Sequence, residues 1–210
     1  MTPGTLSAIR VFDSTSVPLP KGQAPFQLPS SFSPQTPIDL EIGCGVGWHP
    51  IQYARQNPSR YVIAIEHTRA KFERFASRLA NNAELPNLRP VHADAVSWVT
   101  HCLPPQSISR CFLLYPNPEP KAVSRRWLRM PFMQRLLETL APTGQLTLAT
   151  NERAYFDEAL HYAAEYWKLE VEATRTISAT NVPAGFPRTH FEKKYLLRGE
   201  TCYELVVRKS

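Results

Sequence analysis

The chain has 210 residues, 43% of them hydrophobic, which suffices for one sizeable core and leaves little for a second. Its 24 basic residues outweigh 18 acidic ones, and the net charge of +6 suits a polyanionic partner better than a cationic one. No apolar run reaches the length of a membrane span, the N-terminus lacks a leader pattern, and four dispersed cysteines form no CxxC pair; neither disulfide framework nor structural metal is expected, and the cytoplasm is the expected compartment.

Residues 1–37 contain seven prolines and only three formal charges. This is poor helix material and predicts an extended, partly ordered arm ahead of a domain spanning 38–210. Alternation of strand and helix begins at Asp39. A strand over 38–42 runs into Gly43-Cys44-Gly45-Val46-Gly47, a turn where the chain reverses sharply or lets a ligand approach its backbone. A dinucleotide fingerprint starting at Gly43 requires glycine where Trp48 stands, and one starting at Gly45 requires a small residue where Pro50 stands. A dinucleotide is therefore not expected. Glu41-x-Gly43-x-Gly45-x-Gly47 instead resembles motif I of the Rossmann-like S-adenosylmethionine (SAM) methyltransferases. An acidic residue close to a cationic sulfonium and ammonium is physically sensible.

The apolar run 61–65 reads as a strand buried on both faces and ends at Glu66, nineteen positions after Gly47. A carboxylate there can accept hydrogen bonds from both hydroxyls of a ribose. Strand 88–93 leads to Asp94-Ala95, which resembles the adenine-binding element of the same methyltransferases. Further strands are expected at 108–115, 144–150, 168–176 and 201–208, and helices at 48–57, 68–82, 94–102, 123–141 and 152–167. This order predicts an α/β fold of the class I methyltransferase type. Its seven-stranded, mostly parallel sheet would close with an antiparallel C-terminal hairpin and carry helices on both faces.

The acceptor has to be read from the second half. Strand four enters Pro116-Asn117-Pro118-Glu119-Pro120-Lys121, a stiff loop that holds Asn117 near the carboxyl edge of the sheet. An enzyme methylating DNA amino groups would place a stacking aromatic ring at the fourth position of this loop, where Pro120 stands. Beyond the loop, Lys121, Arg125, Arg126, Arg129 and Arg135 follow with no acid between Glu119 and Glu138, and more positive residues, Arg188, Lys193, Lys194 and Arg198, surround the later loop. Such a stretch is either a solvated helix face or a footprint for phosphate backbone, and its place beside the acceptor loop favours the footprint.

Tyr115-Pro116-Asn117-Pro118-Glu119-Pro120-Lys121 resembles the Phe-Pro-Asp-Pro-Trp-x-Lys motif of the bacterial tRNA (guanine-N7)-methyltransferases. Ala149-Thr150-Asn151-Glu152 resembles that family's Ala-Thr-Asp-x-Glu element, and Thr189-His190-Phe191-Glu192 its Thr-x-Phe-Glu signature. The resemblance implies SAM as cofactor, with S-adenosylhomocysteine as product, and tRNA as partner, the variable-loop guanine being the expected target. It places cofactor contacts at Glu41, Gly43, Gly45, Gly47, Glu66, Asp94, Ala95 and Asn117, with Asn117 also the catalytic candidate. Substrate contacts fall at Lys121, Asn151, Thr189 and Glu192, the last two expected to share one helical turn facing the base. Arg125, Arg126 and Arg129 are the candidates for tRNA backbone. A monomer or homodimer is expected, with no metal and no membrane. Three positions depart from the family, and its usual basic His-Lys segment is altered. Asn117 and Asn151 replace aspartates, keeping an acceptor oxygen without its charge, and Glu119 replaces a tryptophan. These changes leave two rival readings: an RNA-binding protein that retains SAM but turns over poorly, and a small-molecule methyltransferase on the same fold.

Overall fold

The computed structural model describes residues 6–22, 24–81 and 85–209. A seven-stranded sheet in the order β3-β2-β1-β4-β5-β7-β6 forms its centre. The strands are β1 (Ile38–Ile42), β2 (Tyr61–Glu66), β3 (Leu88–His92), β4 (Ile108–Leu114), β5 (Leu140–Thr150), β6 (Glu170–Ile177) and β7 (Cys202–Arg208). The first five pair in parallel, and β7 runs antiparallel to both β5 and β6. The predicted sheet and its closing hairpin are thus present. Strand order reverses between β1 and β4, so the crevice outside their carboxyl ends is the natural ligand position.

Among the described residues six α-helices cover the sheet: α1 (Trp48–Gln56), α2 (Arg69–Ala80), α3 (Ala95–Cys102), α4 (Phe132–Thr139), α5 (Arg153–His161) and α6 (His190–Leu197). Period-two alternation along β2 divides the core. Val62 and Ala64 pack with Ile51 and Ala54 of α1 and Phe75 of α2, whereas Ile63 and Ile65 join the larger cluster containing Trp98 of α3 and Phe132 and Met133 of α4. The edges are guarded by different means. β3 carries Pro90, which removes a donor, and β6 exposes Glu170, Glu172 and Arg175.

Two predicted helices differ from the sequence expectation. The stretch 123–141 forms two 3-10 turns, Val123–Arg125 and Trp127–Arg129, before α4. Pro131 bars a continuous helix because it has no N–H and disfavours helical backbone at Met130, which is extended at ψ 140. In the stretch 152–167, α5 widens into a π-turn over Tyr162–Tyr166, closed by the Trp167 amide on the Tyr162 carbonyl at 2.9 Å. Helix 68–82 is α2 as far as Ala80, and its last predicted position lies outside the described residues.

The described part of the arm is extended and packs along the sheet's helices. The Tyr162 hydroxyl donates to the Ser7 carbonyl, Tyr166 meets the Ile9 backbone, and the Ser97 hydroxyl donates to the Pro18 carbonyl. Phe26 is 7% exposed and joins the main core beside Tyr61 and Trp98. The prolines suppress helix, while the interspersed aromatics anchor the strap.

Candidate active site

The glycine turn after β1 is fastened to the tip of β2. The Gly43 and Cys44 amides both donate to the Ile65 carbonyl, and the Gly45 amide donates to Glu66 Oε2 at 2.9 Å. Glu66 Oε1 accepts from the Thr68 amide at 2.7 Å, so this buried carboxylate stitches two loops and still has lone pairs to spare. A Cβ built on Gly43 or Gly45 would meet nothing within 4 Å, which leaves open space above this part of the turn. Gly47 differs: at φ +76 its Cβ would lie 2.0 Å from Phe75 Cδ2.

Glu41 turns inward, and its Oε2 lies 2.7 Å from Nδ1 of His49. Both residues are buried, and the His49 ring packs edge-on against Phe112. The sequence expectation of a direct cofactor contact overlooked His49, although the spacing from β1 to the first turn of α1 made the meeting possible. Burial raises the Cys44 thiol, and the charges of Glu41 and Glu66 raise it further, so the cysteine inside the turn stays protonated. Asp94 caps α3, accepting from the Ser97 amide at 2.8 Å, while the residue itself remains exposed at the β3 tip. Ala95 opens the helix behind it.

Across the switch point lies the proline loop. Tyr115 and Glu119 have φ of 53° and 47°, a left-handed backbone that costs a non-glycine residue about 1–3 kcal/mol and tends to gather at functional sites. Three attachments hold it. The Tyr115 hydroxyl donates to Glu192 Oε1 at 2.6 Å. Arg126 Nε donates to the Pro118 carbonyl at 2.7 Å. The Asn117 amide donates to Glu119 Oε1 at 3.0 Å, and the Glu119 amide returns a bond to Asn117 Oδ1 at 3.3 Å. Burial first, and the Glu192 charge next, push the Tyr115 hydroxyl far up, so it remains a donor.

Glu192 is placed differently from a base-facing residue. It is 0% exposed, and its other oxygen accepts from the Arg188 amide, with the Arg188 guanidinium 3.3 Å from Oε1. Thr189 is the N-cap of α6, and its Oγ1 accepts from the Glu192 amide at 3.0 Å. The three-residue spacing is that of a helix cap, a signal already present in Thr-x-x-Glu. Arg188 also pairs with buried Glu204, which Arg175 meets from β6, forming a charge network that the sequence reading missed. Asn151, at the end of β5, donates to Glu200 at 3.0 Å.

The basic stretch divides in two. Arg126 and Arg129 both bind Glu158 of α5, at 2.8 and 2.9 Å, and lie over the rings of Tyr155 and Tyr162. With side chains only 11% and 19% exposed, they are poorly placed for phosphate, because a carboxylate already occupies their forks. Lys121 and Arg125 remain exposed.

A glycine turn open to space, acids at the tips of β1, β2 and β3, and a strained acceptor loop across the switch point define the cofactor corner of a Rossmann-like, SAM-dependent methyltransferase. Residues 35–205 match the family described as putative methyltransferase. The tRNA (guanine-N(7)-)-methyltransferase of Nitrosomonas eutropha is 30% identical to the chain over 91% of it and 85% of the relative, and that of Halorhodospira halophila is 31% identical over 84% and 77%. The chain belongs to the tRNA (guanine-N7)-methyltransferase family, and its cofactor is SAM. Among solved structures, 16S rRNA methyltransferase KamB superposes with a TM-score of 0.66 at 21% identity, covering 86% of this chain and 90% of that one. The precorrin-6y C5,15-methyltransferase of Geobacter metallireducens gives 0.58 at 15%, covering 82% and 80%. At these identities both likenesses concern the fold. Among the described residues no group of His, Cys, Asp or Glu could hold a metal ion, and no helix is long and apolar enough to cross a membrane.

Proposed function

We propose that the protein methylates N7 of a guanine in tRNA, the guanine of the variable loop. The observation that carries this reading is the juxtaposition across the switch point: the open glycine turn with Glu66 on one side, and the strained loop Tyr115–Lys121 on the other. Bound SAM supplies an electrophilic methyl group. Glu66 would hold the ribose hydroxyls with its remaining lone pairs, Asp94 and Ala95 would border the adenine, and Gly43 and Gly45 would let the cofactor approach the backbone. Gly47 closes the turn against Phe75, and Glu41 acts through His49 by fixing the start of α1.

Guanine N7 has a free lone pair and needs no general base, so this chain's contribution is alignment of the acceptor. Asn117 Oδ1 and the Glu119 carboxylate can accept from the N1–H and exocyclic amine of guanine, and Lys121 can meet O6 or a phosphate. Asn151 would border the base from the β5 side. Thr189 and Glu192 would contribute by holding Tyr115, and through it the loop. N7 of a paired guanine sits in the deep, narrow groove of duplex RNA, so the target must be reached in an unpaired or distorted segment.

Labelled SAM incubated with unmodified tRNA, followed by nucleotide mapping, tests the reading. Label on the variable-loop guanine is expected. Label on another nucleotide refutes the position. SAM and tRNA binding without any label would support the poorly active RNA-binder, which the uncharged Asn117 and Asn151 favour.

A further inference from the structure

A groove of about 460 Å³ runs between α6 and the start of α1, lined by Trp48, His190, Lys193, Lys194, Leu197 and Arg198. Trp48 is the residue directly after Gly47, so one wall of the groove continues the cofactor turn. Its chemistry is uneven. Four lining residues are basic or histidine, two are apolar, and none is acidic. Among the described residues Lys193 and Lys194 have no acidic partner, and Arg198 only approaches Glu200 at 3.9 Å. Leu197 is 78% exposed, and Phe191 on the same helix 40%. A single exposed leucine means nothing by itself. Here it lies in a basic groove beside an indole whose Nε1 is buried without a hydrogen-bond partner and whose ring has Arg78 over it.

Cations lining a groove whose apolar walls include a planar ring match a chain that is polyanionic and carries flat, stackable groups. We infer that this groove binds unpaired nucleotides flanking the target guanine, with Lys193, Lys194 and Arg198 on phosphates and a base against Trp48 and Leu197. The inference rests on the RNA reading above and adds a surface to it. It also narrows the phosphate footprint, since Arg126 and Arg129 are engaged by Glu158 whereas Lys193 and Lys194 are not. An acidic peptide would satisfy the charges but leave the indole without a stacking partner.

The test compares wild type with the triple variant Lys193→Ala, Lys194→Ala, Arg198→Ala, using unmodified tRNA across a salt titration and SAM calorimetry in parallel. The expected result is at least a tenfold loss of tRNA affinity near 0.15 M salt, with the salt slope falling by about 2–3 for three lost phosphate contacts. SAM affinity stays at the wild-type value, and the charge-preserving Lys193→Arg, Lys194→Arg variant retains tRNA binding. A short unpaired RNA should quench tryptophan emission in wild type more than in Trp48→Phe. Wild-type tRNA affinity and slope in the triple variant, while wild type methylates tRNA, would overturn the groove and leave the function standing. Loss of tRNA binding in the triple variant, when wild type methylates no tRNA, would do the reverse. Displacement of tRNA by polyglutamate but not by unpaired RNA would assign the groove to an acidic protein and also overturn the inference.

Discussion

Replacing Glu192 by alanine should unfold the C-terminal loop's attachment before it says anything about chemistry. The carboxylate is 0% exposed and accepts from the Tyr115 hydroxyl at 2.6 Å, the Arg188 amide and the Arg188 guanidinium. Its removal takes the acceptor from a partly buried hydroxyl and a partly buried amide, at about 1–3 kcal/mol each. Arg188 keeps Glu204, so its charge is not orphaned, and the expected total is about 3–5 kcal/mol, within the range for breaking a buried pair. That is a large share of the ~5–15 kcal/mol that holds an ordinary domain folded. Glu192→Gln keeps the shape and one acceptor oxygen and should cost less. Urea denaturation followed by circular dichroism reads the effect as a lower midpoint at unchanged slope. Glu192→Ala with a wild-type midpoint but no methyl transfer would refute this placement and return the side chain to the substrate.

The other expectations are independent of that network. Glu66→Ala should weaken SAM at least tenfold, since it removes an acceptor for both ribose hydroxyls and unties Gly45 from β2, each hydrogen bond to a charged group being worth about 1.5–3 kcal/mol; unchanged calorimetric affinity would exclude the role. Gly47→Ala and Gly45→Ala should each cost about 1–2 kcal/mol for the left-handed backbone, and Gly47→Ala about 1–3 kcal/mol more for collision with fully buried Phe75, while Gly45→Ala should depress SAM binding; equal melting temperatures for the two would refute the collision. Glu119→Gln should slow methyl transfer more than it weakens SAM, and Asn117→Asp should rescue it; a fully active Glu119→Gln would show that this charge is idle. Stability should fall as pH rises through the ordinary thiol and phenol range. Burial raises Cys44, Cys102, Cys111 and Cys202 from an ordinary 9.0, and Tyr53, Tyr61, Tyr115 and Tyr155 from 10.0. The unfolded chain then loses protons that the folded chain keeps, at about 1.4 kcal/mol per pH unit for each group, and a melting temperature unchanged between pH 8 and 10.5 in reductant would contradict this.

The sheet was legible because its signals are local and repeated. Val62-Ile63-Ala64-Ile65 can only be buried on both faces, and a glycine, proline or cap residue follows closely on the ends of β1, β3 and β4. The limits of the helices over 123–141 and 152–167 were less legible, because Pro131, the N-cap of α4, lies inside an otherwise helical pattern. On the cofactor side the sequence places its expected contacts at strand tips and the glycine turn, and the structure joins Gly45 to Glu66. It was harder to read on the acceptor side, because side-chain charge does not reveal its partner. Arg126 and Arg129 look identical to Lys193 and Lys194 in a one-dimensional count, yet Glu158, twenty-nine residues after Arg129, consumes the first pair. Thr189 and Glu192 carried two meanings at the same spacing, a shared face and a helix cap, and burial selects the cap.

Where the chain has placed its charges follows one physical rule. Cations that must stay fixed are sunk onto carboxylates: Arg60 on Asp39, Arg126 and Arg129 on Glu158, Arg188 on Glu192 and Glu204. The Arg126 pair braces the proline loop through Pro118 and the Arg188 network holds Tyr115 through Glu192, so these cations are engaged inside the protein rather than offered to RNA. The strained backbone at Tyr115 and Glu119 needs that bracing, because nothing in its own sequence favours a left-handed turn. The carboxylate missing at Asn117 stands two residues later at Glu119, hydrogen-bonded to the asparagine that replaced it. The loop therefore keeps one negative charge at the acceptor corner, moved by one attachment rather than lost. Among the described residues, cations without an acidic partner include Lys193 and Lys194 of α6 together with Lys121 and Arg125, where a polyanion can reach them without first breaking a buried pair.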